Sequence, residues 1–89
     1  MRTAAKRDAN EKEIVTALES IGCTVHRLDL PVDLLVGFRA RNFLIEVKNP
    51  EGRATRTSGQ GKFFEMWKGQ VRQVTTVDEA LELVTKAYE

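Results

Sequence analysis

Two short runs carry the side chains best suited to do chemistry: Asp33 in Pro31-Val-Asp-Leu-Leu-Val-Gly37, and Glu46 with Lys48 in Leu44-Ile-Glu-Val-Lys48. Both are aliphatic and β-branched, and Pro31 and Asn49-Pro50 bound them, so both read as strands. If they form a hairpin turning near residue 40, facing residues have numbers summing to about 79 or 80, which sets Asp33 opposite or next to Glu46. Directly opposed side chains stand about 5 Å apart at Cβ, where two carboxylates repel. A divalent cation taking oxygen ligands from both acids removes that repulsion. Lys48 lies two residues past Glu46 and so shares its face, as do Leu35 and Leu44, whereas Leu34, Val36, Ile45 and Val47 take the opposite face and can pack on a helix. An acid pair with a neighbouring lysine suits phosphodiester hydrolysis. The ion, held by Asp33, Glu46 and the carbonyl of Val47, would polarise the phosphate and acidify a bound water. Lys48 would orient that water or offset transition-state charge. A ligand set of oxygens without histidine favours Mg²⁺ or Mn²⁺ over Zn²⁺. The simpler alternative is a surface hairpin whose Asp, Glu and Lys pair with one another.

These strands need elements to hold them. Asp8 with Glu11 can form a capping box, after which Ile14, Val15, Ala17, Leu18 and Ile21 recur at helical spacing until Gly22 stops the helix. Thr24 to Leu30 reads as a strand ended by Pro31, 33–38 as a second, Arg39-Ala-Arg-Asn42 as a turn, and 43–48 as a third. Residues 51–61 form the one long loop, rich in Gly, Ser, Thr and Arg. Phe63, Phe64 and Trp67 then supply a short amphipathic helix, 71–75 a fourth strand, and Thr76-Val-Asp-Glu79 a second capping box opening a last helix. The expected order is α-β-β-β-α-β-α: an α/β domain with a mixed four-stranded sheet flanked by helices, the fourth strand joined through a crossover helix.

The chain has 89 residues, the size of one small domain, with a core spanning about 8–88 and residues 1–7 expected to form a flexible basic arm. No apolar run approaches the roughly 18 residues that span a bilayer, and no apolar segment follows the basic N-terminus as in a secretory signal, so an intracellular location and no membrane partner are expected. One cysteine excludes an internal disulfide framework, and one histidine excludes a site with two His ligands. The formal charge of +1 hides a segregation: residues 48–72 carry six bases against two acids, and residues 77–89 four acids against one base. Such a split favours a polyanionic partner.

Taken together, Pro31-Val-Asp33-Leu-Leu-Val-Gly and Leu44-Ile-Glu46-Val-Lys48 resemble the PD-(D/E)xK nuclease superfamily, and within it the virus-type replication–repair nuclease (VRR-NUC) branch in small stand-alone form. The likeness extends to Asp8-Ala-Asn-Glu-Lys-Glu13-Ile, to Ile21-Gly-Cys-Thr-Val, and to Gln60 seven residues before Trp67-Lys-Gly-Gln-Val with the Val77-Asp-Glu-Ala-Leu segment following. Pro31 stands two residues before Asp33, with Val32 between, where the family pattern places it directly before. The resemblance, over about residues 8–85, implies a restriction-endonuclease-like core and a metal-dependent endonuclease of structured DNA, similar to the homodimeric Holliday-junction resolvases. No small-molecule cofactor is implied. By the same resemblance Asp33, Glu46 and Lys48 form the catalytic core, Glu13 completes the metal shell and Gln60 supports the site. The source, phage or bacterium, stays open, and the compact stand-alone form suits a phage.

Helix geometry alone leaves the helical acid open: at about 100° per residue Asn10 and Glu11 fall inside the apolar stripe and Glu13 at its edge. Glu11 has a competing use in the capping box, and it is the resemblance that selects Glu13. Phe63, Phe64 and Trp67 share one helix face, which favours the core over a base-stacking platform for Phe64 and Trp67. Arg53, Arg56 and Lys62, in the loop after the Glu46 strand, are expected to contact phosphates. His26 is read as a surface strand residue, and Cys23 as a buried, inert thiol. Two other functions compete: an inactive nucleic-acid-binding module on the same fold, and a small interaction domain with no nucleic-acid role.

Overall fold

A computed structural model describes residues 9–49 and 58–86. The elements run α1 (Ala9–Ser20), β1 (Thr24–Arg27), β2 (Leu34–Phe38), β3 (Arg41–Val47), α2 (Ser58–Met66), β4 (Val71–Val74) and α3 (Val77–Lys86). The order is the expected α-β-β-β-α-β-α in an α/β architecture. The four strands lie in chain order in one mixed sheet: β1, β2 and β3 are an antiparallel meander, and β4 joins β3 in parallel after the α2 crossover. The proposed arm at 1–7 and the Asp8 end of the first capping box lie outside the described residues. No helix among the described residues is long and apolar enough to cross a membrane.

The core fills one face of the sheet. Leu34 and Val36 of β2 and Phe43, Ile45 and Val47 of β3 meet Ile14, Val15 and Leu18 of α1 and Ala80 and Val84 of α3. Period-two alternation puts the strand residues on this face, and the i, i+4 spacing of Ile14 and Leu18 and of Ala80 and Val84 lays an apolar stripe over them.

Local chemistry fixes the element ends. Gly22, with φ of 103°, lets the chain leave α1 in a Schellman motif: the Cys23 N–H donates to Leu18 O at 3.0 Å and the Gly22 N–H to Glu19 O at 3.0 Å. At the head of α3 the second capping box forms as read. The Glu79 N–H donates to Thr76 Oγ1 at 3.1 Å, and Glu79 Oε1 accepts from the N–H groups of Thr75 (2.6 Å) and Thr76 (3.3 Å).

Two strand limits differ from the expectation by more than one residue. β1 ends at Arg27 rather than Leu30, because residues 28–33 turn back toward β2, with the Leu28 N–H donating to Asp33 O at 2.7 Å. β3 begins at Arg41, so the turn is a two-residue loop, Arg39-Ala40, in which both residues adopt positive φ (53° and 64°). That is the backbone of a type I′ hairpin, the form whose twist matches the flanking strands. Neither residue is glycine, so the left-handed conformation carries a steric cost of roughly 1 kcal/mol per residue. Ala40→Gly is therefore expected to raise stability by about 1 kcal/mol; an unchanged or lower urea midpoint would count against it.

Cys23 is buried at the α1 exit, and desolvation pushes its thiol above the usual range. The thiolate is the reactive species, so a thiol held protonated reacts slowly. Native protein at neutral pH should react with a thiol-specific disulfide reagent at least about tenfold more slowly than urea-unfolded protein, as the raised pKa and the loss of access combine. Equal rates would mean that Cys23 is open.

Candidate functional site

The β2–β3 register pairs Leu34 with Ile45, so partner numbers sum to 79 and the next position outward sets Asp33 against Glu46. Asp33 is the half-buried residue just before β2, and its Oδ2 accepts the Val47 N–H at 2.7 Å. One carboxylate oxygen of Asp33 thus closes the open end of the hairpin from the strand that carries Glu46.

Glu46 is only 4% exposed although it points away from the core, because Ile45 and Val47 on either side fill that core. On the β4 side it is paired with Gln73. Extending the register by one residue beyond β2 places Asp33 beside the Glu46–Gln73 pair, and next to it runs the row His26–Leu35–Leu44–Val71. Lys48, half-buried, follows at the end of β3 on the Glu46 face, and its N–H donates to Val74 O at 2.9 Å. The parallel pairing with β4 thus continues past Val47 and fixes the backbone that carries the lysine. The expected trio of Asp33, Glu46 and Lys48 is brought to one end of one sheet face.

The helical acids are placed differently. Glu11 is 2% exposed, and its Oε2 lies 3.4 Å from Arg27 Nε. Arg27 pairs with Leu34, a core residue, so this ion pair sits on the core side of the sheet, away from Glu46. Glu13 is exposed on α1. Among the described residues, no group of three His, Cys, Asp or Glu side chains converges tightly enough to hold a metal ion. The pair of Asp33 and Glu46 is an all-oxygen, two-carboxylate set, which fits a largely hydrated Mg²⁺ or Mn²⁺.

Gln60 falls in the first turn of α2, and Lys62 is exposed on the same helix; Arg53 and Arg56 lie outside the described residues. His26 is exposed on β1, as read. Trp67 departs from the expectation: it is 45% exposed rather than in the core, its ring stacked on Phe63 at 5.0 Å, and Phe63 and Phe64 are half-buried outside the core cluster.

Two residues that sequence reading did not place in the site belong beside it. Gln73 neighbours Glu46 through a parallel register that no local signal reveals. Asn10 donates from Nδ2 to Lys48 O and to Thr75 O, both at 2.8 Å, and so joins α1 to the ends of β3 and β4. The signal for Asn10 was a polar residue inside an apolar helical stripe. Such a residue finds partners on the sheet or is destabilising.

Comparison of the chain with protein-family models, curated proteins and solved structures finds no match in any of the three.

Proposed function

We propose that the chain is a Mg²⁺- or Mn²⁺-dependent DNA endonuclease of the PD-(D/E)xK type, similar to the VRR-NUC branch, acting on branched DNA such as Holliday junctions as a homodimer. The observation that carries the reading is the register that sets Asp33 against buried Glu46, with Lys48 two residues on. The chemistry that a metal ion would supply there is polarisation of the phosphate and acidification of a bound water. Asp33 and Glu46 would hold the ion, with the Val47 carbonyl as a further oxygen donor. The bond from the Val47 N–H holds the Asp33 carboxylate on the strand that carries Glu46. Lys48, two residues past Glu46, would offer its ammonium to the negative charge of a phosphate. Lys62 on α2, with Arg53 and Arg56, would grip flanking phosphates, which makes binding steeply salt-dependent. A two-fold pair of such sites can cut two strands symmetrically.

The second reading is a binding module without catalysis on the same fold. The bond from Val47 N–H to Asp33 favours it, since it gives Asp33 a structural use. Cleavage of a labelled four-way junction beside a matched linear duplex, in Mg²⁺, Mn²⁺ or EDTA, separates the two. Metal-dependent cutting of the junction alone is expected; cutting of both substrates keeps the chemistry and removes the preference. Salt-dependent binding with no cutting in either metal leaves the binding module.

A further inference from the structure

The chain has a single tryptophan, and it is an exposed one. Trp67 directly follows α2, where its N–H donates to Phe63 O at 2.9 Å. Phe63 stacks on the indole with 26° between the ring planes, and Phe64 meets Phe63 edge-on with centroids 6.5 Å apart. On another side lies Gly69, where a Cβ would stand 2.8 Å from the indole Nε1 and 3.3 Å from Cε2. Only glycine fits this close approach without moving the ring, so the indole is backed by Phe63 and bounded by Gly69 while nearly half of the residue faces solvent. An aromatic ring fixed in advance in this way loses little freedom when a flat ligand stacks on it.

The surroundings select the ligand. Exposed Lys62 and Lys68 flank the aromatic group in the chain, against the one acid between them, Glu65. A flat apolar platform with surplus positive charge is complementary to a nucleobase and its phosphates. Paired bases keep their faces buried in the duplex stack, so the platform needs an unpaired one.

We propose that Trp67, backed by Phe63, is a stacking platform for an unpaired nucleobase, with Lys62 and Lys68 on the adjoining phosphates. The proposal rests on the nucleic-acid reading of the Glu46 face and gives it a substrate class: DNA that carries an unpaired base. Other occupants of the patch, above all a second copy of this chain, are outcomes of the test.

Trp67 emission reports on the platform alone. In EDTA at low salt, titration with oligo(dT) should quench it, and a blunt duplex of equal length should quench it much less; added salt should reverse the effect. Trp67→Ala should weaken oligo(dT) binding, read by the anisotropy of a labelled strand, by about 5- to 100-fold. Trp67→Phe should recover most of the loss. Gly69→Ala should weaken binding with Trp67 still present, and an unchanged melting temperature shows that the fold is intact. Absent quenching, equal affinity in Trp67→Ala, or emission that shifts with protein concentration in the absence of DNA would overturn the proposal, the last by assigning the patch to a second copy. Metal-dependent cleavage without quenching removes the platform and leaves the nuclease; quenching by single strands without cleavage in any metal does the reverse.

Discussion

Glu46→Gln protein should bind a four-way junction as tightly as the parent in EDTA and cut it at least about 10²- to 10³-fold more slowly in Mg²⁺, the loss that follows removal of one preorganised charged group from a catalytic site. Shape is conserved and a charge removed, which makes the variant informative. Glu46 is almost fully enclosed at the open end of the hairpin, one position outward from the last Leu34–Ile45 pair. Glutamine fills the same space as glutamate, so the melting temperature of Glu46→Gln without metal should stay close to that of the parent. A folded variant that cuts within about tenfold of the parent rate would remove Glu46 from the chemistry. Mg²⁺ should also raise the parent's melting temperature more than the variant's, since a ligand stabilises only the state that binds it.

Phe43→Ala should remove a large share of the fold's stability. Phe43 is the largest of the fully buried side chains, paired with Val36 and enclosed with residues of both helices that cover the core face. Removing a buried phenyl ring costs about 3–5 kcal/mol, against a total stability of roughly 5–13 kcal/mol for a chain of this length. The expected sign is a large fall in the urea midpoint with an unchanged slope. Leu35→Ala, one strand away on the opposite face and 38% exposed at the parent residue, should cost about 1 kcal/mol or less. Equal losses from the two would mean that the face bearing Glu46 is a second core rather than a working surface.

How much of this was legible depends on the range of the forces involved. The hairpin register followed from alternation and the place of the turn, because a slip of one residue would move Leu34, Val36, Ile45 and Val47 out of the core together. The end of α1 at Gly22 and the cap at Thr76 and Glu79 were legible because those residues bond within a few positions of themselves. The two-residue turn was masked: Arg39 and Ala40 lack the glycine that normally marks positive φ, so the strand limit was placed two residues late. For Trp67 the spacing gave the shared face with Phe63 and could not say that solvent, rather than the sheet, lies on the other side. Glu11 and Glu13 differ by about 160° around the helix axis. Which of them turns inward was decided by Arg27, sixteen residues away on another element. The acid pair was readable because it needs one hairpin only; any third ligand needs tertiary contacts that spacing does not encode.

The amide of Asn10 has a consequence for how the chain is made. Its two acceptors are 38 and 65 residues further along, at the ends of neighbouring parallel strands. While the chain is being synthesised, the first helix can form early, yet the latch from that helix to the end of the Glu46–Lys48 strand stays open until Thr75 has left the ribosome. Closing so long a loop is entropically slow, and parallel pairing adds to the delay. The acid pair should therefore gain its final backbone frame only when β4 docks, among the last events of folding. An incomplete chain ending before β4 would carry Asp33, Glu46 and Lys48 without the backbone frame that the completed domain gives them.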